Sequence, residues 1–236
     1  MYADEHGGRL FPNALYNSVI APDTPSSSPD WSLLFAFHPY SDDYYKMLLC
    51  PAAVKVDEGT QRPVHEADPS LYGDTFRPYQ AVKLWRWRRW RRGDTFLASY
   101  GVNGWLVDYP LNYRRAREPF PYRTFYWEGA ASKHASQVAV FFDCRYMGVR
   151  PVDALAMPPE WEGQPAQWGD LSLVVMNRHS GGINNLFLAW SVRKVGVKEP
   201  WALKWHKEYN KAGPWTKRGG ARPEDWPPWM RRFRDY

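Results

Sequence analysis

The side chains able to do chemistry are few and dispersed. Six histidines (His6, His38, His65, His134, His179, His206) are spread over 236 residues, and no two stand at the helical spacing of a ligand pair. His179 lies in Asn177–Gly182, a stretch of turn formers, and reads there as a turn-stabilising imidazole rather than a metal ligand. No metal and no cofactor is expected. Glu160 and Glu162 flank Trp161 in a proline-rich stretch, and such a pair reads as solvated rather than as an acid/base couple. No nucleophile elbow, phosphate-binding loop or dinucleotide fingerprint is present. The chain therefore reads as a non-enzyme with no catalytic residue.

The two cysteines, Cys50 and Cys144, each follow apolar residues, in Met47-Leu48-Leu49-Cys50 and in Val138–Cys144. Two buried thiols and one disulfide both fit, the bridge only in an exported protein. Between Lys83 and Arg92, Trp85, Trp87 and Trp90 alternate with Arg86 and Arg88. Rings packed inward under arginine stems are one reading. Stacking on single-stranded nucleic acid is another, but no nucleic-acid fold signature accompanies it and such a partner is not expected. These five residues, with Trp201 and Trp205, are the candidate binding or interface residues.

The elements that must position these groups belong to a folded chain. Aromatics are 17% of the residues and charged groups 24%, a composition that excludes disorder. Fourteen tryptophans predict rings packed in the core and under loops, with a minority free to stack on sugars or on another subunit. The net charge of +6 is segregated. Ala81–Arg92 carries six Lys/Arg and no acid, Ser191–Tyr236 twelve against five acids, and the rest is net acidic. Segregation of this kind suits head-to-tail contacts between like subunits, contact with an anionic surface, or solvated faces. No secretory leader and no apolar run of membrane-spanning length stands in the sequence, so the chain as written is expected to be soluble.

Residues 1–236 read as a single domain of α+β class: an antiparallel sheet with a C-terminal β-hairpin, short helices and long Pro/Gly-rich loops. Gln80–Trp90 and Phe96–Leu106 read as strands. Val138–Cys144 is continuously apolar and belongs in the centre of the sheet. Leu171–Met176 and Ile183–Val192, joined by Asn177–Gly182, predict the hairpin. Short helices are expected over Glu128–Ser136 and Pro223–Arg232. A longer one is expected over Glu199–Tyr209, where Trp201, Trp205 and Tyr209 stand at i, i+4, i+8. Val54–Asp74, Tyr109–Tyr122 and Met157–Asp170 read as loops.

The stretch Arg178–Gly196, with His179, Gly181, Gly182 and Asn184, closely resembles the C-terminal signature of prepilin-like proteins of the planctomycete type. That signature is a His, nine residues, then Asp and usually Gly. Trp201–His206, Gly213–Lys217 and Asp225–Met230 are similar to one subgroup of the family. Leu48–Ala53, Ser99–Trp105, Val140–Cys144 and Met1–Gly8 fit it as well, so the resemblance spans nearly the whole chain. It implies a non-catalytic head of a type II secretion or type IV pilus-like pseudopilin. The partners would be identical or related subunits, with secreted cargo or polysaccharide as further partners. The place would be the periplasm or cell surface, reached through an apolar N-terminal helix that this sequence lacks. A second departure is that Ala189 and Trp190 stand where the signature has Asp and Gly. An extracellular carbohydrate-binding module using exposed Trp or Tyr is the competing expectation.

Overall fold

A computed structural model describes residues 48–53, 73, 75, 76, 78–82, 95–106, 122–127, 129, 132–146, 148–152, 156–162, 164 and 171–236. Seven strands are seen among them: β1 (Tyr79–Val82), β2 (Thr95–Ala98), β3 (Tyr100–Asn103), β4 (Ala139–Asp143), β5 (Gly148–Val149), β6 (Gly182–Phe187) and β7 (Val192–Gly196). β1 and β2 form an antiparallel pair, and the other five make one sheet in the order β5-β3-β4-β6-β7. The sheet is mixed rather than antiparallel throughout, because β5 runs parallel to β3.

β4 occupies the middle of that sheet. Its Ala-Val-Phe-Phe-Asp run has four of five residues buried, as a strand covered on both faces requires. A register shift between Ala139 and Phe141 marks a bulge against β6. In β6, Ile183, Asn185 and Phe187 are buried in period-two alternation. β7 pairs with β6 from Gly182↔Gly196 to Leu186↔Val192.

The hairpin is therefore real but displaced from the expected one. Leu171–Leu173 is a 3-10 turn, not a strand, and the reversal falls on Leu188–Ser191 rather than on Asn177–Gly182. Trp190 N–H donates to Phe187 O at 2.8 Å and Phe187 N–H to Ser191 O at 2.9 Å, with Trp190 left-handed at φ 59°. Leu188–Trp190, between the hydrogen-bonded Phe187 and Ser191, thus form a tight three-residue loop closed by a residue with positive φ. Asn177–Gly182 is also a turn, closed by His179 N–H to Gly182 O, but it leads into β6 from an irregular segment.

The helices expected near the C-terminus shrink to single 3-10 turns, Glu199–Ala202 and Pro223–Asp225, and within Glu128–Ser136 the described turn is Ala135–Gln137. Tryptophan holds the tail instead. Trp201 Nε1 donates to Ala156 O at 2.7 Å, Trp205 Nε1 to Pro200 O at 2.8 Å and Trp229 Nε1 to Pro159 O at 2.9 Å. Each ring buries area in the core while its one polar atom fixes an irregular backbone carbonyl. Trp105 and Trp127 do the same to Pro151 O and Trp205 O. The C-terminus is tied down by the buried Lys198, whose ammonium meets Asp235 at 2.6 Å and lies 4.8 Å from the centre of the Trp226 ring. No helix among the described residues is long and apolar enough to cross a membrane.

Candidate functional site

Ser99, between β2 and β3, organises the place where reactive side chains converge. Its N–H donates to Leu48 O at 2.9 Å, and its Oγ accepts the Cys50 N–H at 2.6 Å. The short turn 50–53, closed by Ala53 N–H to Cys50 O, is thereby docked on the sheet. The Ser99 carbonyl accepts from Cys144 N–H at 2.8 Å and from Arg178 Nη1 at 2.8 Å.

At the end of β4 stands Asp143, wholly buried. Its Oδ1 accepts from Arg178 Nη1 at 2.9 Å. Its Oδ2 accepts the Asn184 N–H at 2.7 Å and lies 3.0 Å from His179 Nε2. Cys50 Sγ lies 3.4 Å from the same His179 nitrogen. Arg178 also donates through Nε to Thr75 O at 2.9 Å. A carboxylate placed in an apolar strand must be satisfied by such partners, and this one is.

The surroundings keep the thiols neutral. Burial raises the Cys50 thiol, opposed by the Ala52 backbone N–H and reinforced by the negative charge of Asp143. Burial, and then Asp143, also push the Tyr100 phenol up; its hydroxyl is hydrogen-bonded to the Cys50 sulfur. Cys144, the residue after Asp143, is fully buried and pushed up to about 12 by burial. Both cysteines are free thiols, so of the two alternatives the unbridged one is seen.

Of the sequence-predicted residues, Cys50, His179, Gly181, Gly182 and Asn184 gather here. Ala189 and Trp190 lie at the opposite end of β6, exposed, with Ala189 N–H donating to Ala135 O. Trp201 and Trp205 are buried in the core, where Trp205 sets its edge on Phe142 at 5.4 Å, and neither can serve as a binding surface. Trp85, Trp87, Trp90, Arg86 and Arg88 lie outside the described residues. Glu160 is exposed, while Glu162 is half-buried and accepts from Thr75 Oγ1 at 2.5 Å and Asn177 N–H at 3.2 Å. Sequence reasoning missed Asp143 and Arg178. The one carboxylate in the otherwise apolar Val138–Cys144 run was the available signal.

The site can hold three segments together, and its sulfur, nitrogen and oxygen converge as metal ligands do. It does not have the geometry of a nucleophile–base–acid relay, because Cys50 and Asp143 address the same imidazole nitrogen rather than opposite ones. Comparison with protein-family models, curated proteins and solved structures finds no match to this chain.

Proposed function

We propose that the chain is the non-catalytic head of a pseudopilin-like subunit that assembles with like subunits of a type II secretion or type IV pilus-like system. The observation that supports this reading is where the polar side chains go. Asp143, Arg178 and Ser99, the centre of the site, make bonds that tie 48–50, 75, β4 and β6 together. Meanwhile an apolar pair is left in solvent at the hairpin: Trp190 is 50% and Val192 70% exposed. Exposed Arg193 and Lys194 follow directly. An apolar pair rimmed by basic groups suits a contact with a net-acidic neighbour, and the body of this chain is net-acidic. On this reading the fold is an α+β head of periplasmic or surface location.

A photo-crosslinking residue in place of Trp190, in the native host, tests the proposal. The expected adduct is this chain with itself or with another pilin-like subunit, identified by mass spectrometry. A gene deletion that leaves both protein secretion and surface filaments intact, with no such adduct, overturns it. A polysaccharide-binding module has one observation in its favour, Trp161 at 53% exposure beside Pro158-Pro159. Binding on a glycan array that disappears in Trp161→Ala would favour that reading.

A further inference from the structure

We propose that Cys50, Asp143 and His179 form a binding site for one divalent cation of borderline softness, with zinc the natural occupant. One ligand atom from each of Cys50, Asp143 and His179 lies within 4.8 Å of the other two. Sulfur and nitrogen are 3.4 Å apart, and nitrogen and oxygen 3.0 Å. Around a tetrahedral zinc with ordinary bond lengths the corresponding edges are about 3.6 Å and about 3.3 Å. Two of the three ligand edges thus already stand within a few tenths of an ångström of coordination spacing.

The imidazole cannot serve both neighbours at once: a neutral ring carries at most one hydrogen on Nε2, directed at the Asp143 oxygen or at the Cys50 sulfur. The thiol's other hydrogen-bond partners are the Tyr100 hydroxyl and Asp143 itself. A cation between the three atoms serves all of them at once. One thiolate, one imidazole and one carboxylate select zinc or cobalt over magnesium or calcium, which prefer oxygen alone. On binding, the Cys50 S–H proton leaves to solvent and the sulfur becomes the ligand.

The outer contacts are those of a built site. Arg178 and the Asn184 N–H hold the carboxylate in place, and the Ser99 hydroxyl holds the Cys50 backbone. His179, with 24% of its side chain exposed, puts the site at the edge of solvent. The Arg178 charge opposes the cation, so the affinity is lower than that of an all-thiolate site. Cys50 and His179 are 129 residues apart in sequence, so an occupant would clip the 50–53 turn to the sheet and add its binding energy to folding.

This proposal is independent of the pilus reading. Its test is titration of metal-stripped full-length chain with Co²⁺. The expected result is a single equivalent bound, a thiolate-to-cobalt charge-transfer band in the near ultraviolet, displacement by Zn²⁺, and a rise in Tm with Zn²⁺. Cys50→Ser abolishes the band, Cys144→Ser keeps it, and His179→Gln weakens binding by more than about tenfold. His179→Gln, at a partly exposed position, keeps the test decisive if Cys50→Ser does not fold. No band in the wild type, a band that follows Cys144 instead of Cys50, or affinity unchanged by His179→Gln would each overturn the site.

Discussion

The Arg178 guanidinium and the Asp143 carboxylate meet at 2.9 Å with neither side chain exposed at all. Such a pair stabilises little over an apolar substitute, but removing one member strands a charge in a dry place. Arg178→Met should therefore lower the unfolding free energy by about 3–5 kcal/mol. It also frees the Thr75 and Ser99 carbonyls from their shared donor. Adding Asp143→Asn to Arg178→Met should restore part of the loss, since the stranded group is then neutral. Urea denaturation of the three proteins decides; a loss below about 1 kcal/mol for Arg178→Met would mean that water reaches the pair.

Two adjacent glycines at the start of β6 separate steric from conformational demand. A Cβ on Gly182 would fall 1.9 Å from the Val195 carbonyl oxygen, a backbone atom of the paired strand, so β6 and β7 would have to part. Gly181 has open space but φ 107°, which L residues avoid. Gly181→Ala should cost about 1–3 kcal/mol. Gly182→Ala should cost more than about 4 kcal/mol, among the largest single-residue losses. The reverse order, read by thermal or urea unfolding, would place the hairpin in another register.

These residues also show what the sequence could and could not reveal. β4 was legible because a continuous apolar run has one stable place, the middle of a covered sheet. The hairpin was legible as an element, but its reversal was not: Leu188-Ala189-Trp190-Ser191 contains no residue that favours positive φ, whereas Asn177–Gly182 is full of them. The tail helix was misread because Trp201, Trp205 and Tyr209 mimic helical spacing. Their rings are set instead by indole bonds to distant carbonyls, which no local pattern encodes. Cys50, Asp143 and His179 come from three separate segments, and only the tertiary fold brings them to one nitrogen.

The buried thiol of Cys144 gives the chain an alkaline liability. Its pKa is pushed up to about 12 in the folded protein by burial, against the ordinary 9.0 when unfolded. Between those values the unfolded chain has released the proton and the folded one has kept it, so raising the pH favours unfolding. The stability that depends on the neutral thiol is complete below about pH 9 and is lost as the pH approaches 12. The slope contributed by this one group is at most about 1.4 kcal/mol per pH unit. Tyrosines and lysines titrate in the same range, so the measurement is a comparison. Cys144→Ala should flatten the fall in urea-derived stability above pH 9 relative to the wild type, although it starts lower because of the cavity. Identical slopes would show that the Cys144 environment is not closed to hydroxide.

At the hairpin reversal the sequence carries a residue at odds with its backbone. Trp190 sits at φ 59° and is half exposed. A left-handed residue with a Cβ costs about 1 kcal/mol or more, and glycine removes that cost. The ring recovers only part of it, since half of its surface stays in water. Trp190→Gly should raise stability by about 0.5–1 kcal/mol. Trp190→Ala keeps the unfavourable φ and loses the ring contacts, so it should fall below the wild type. The order Gly, Trp, Ala in unfolding free energy is the specific signature of backbone strain at this turn. If glycine ranks below tryptophan, ring packing rather than conformation holds the reversal together, and the indole belongs to the fold rather than to a surface kept for a neighbour.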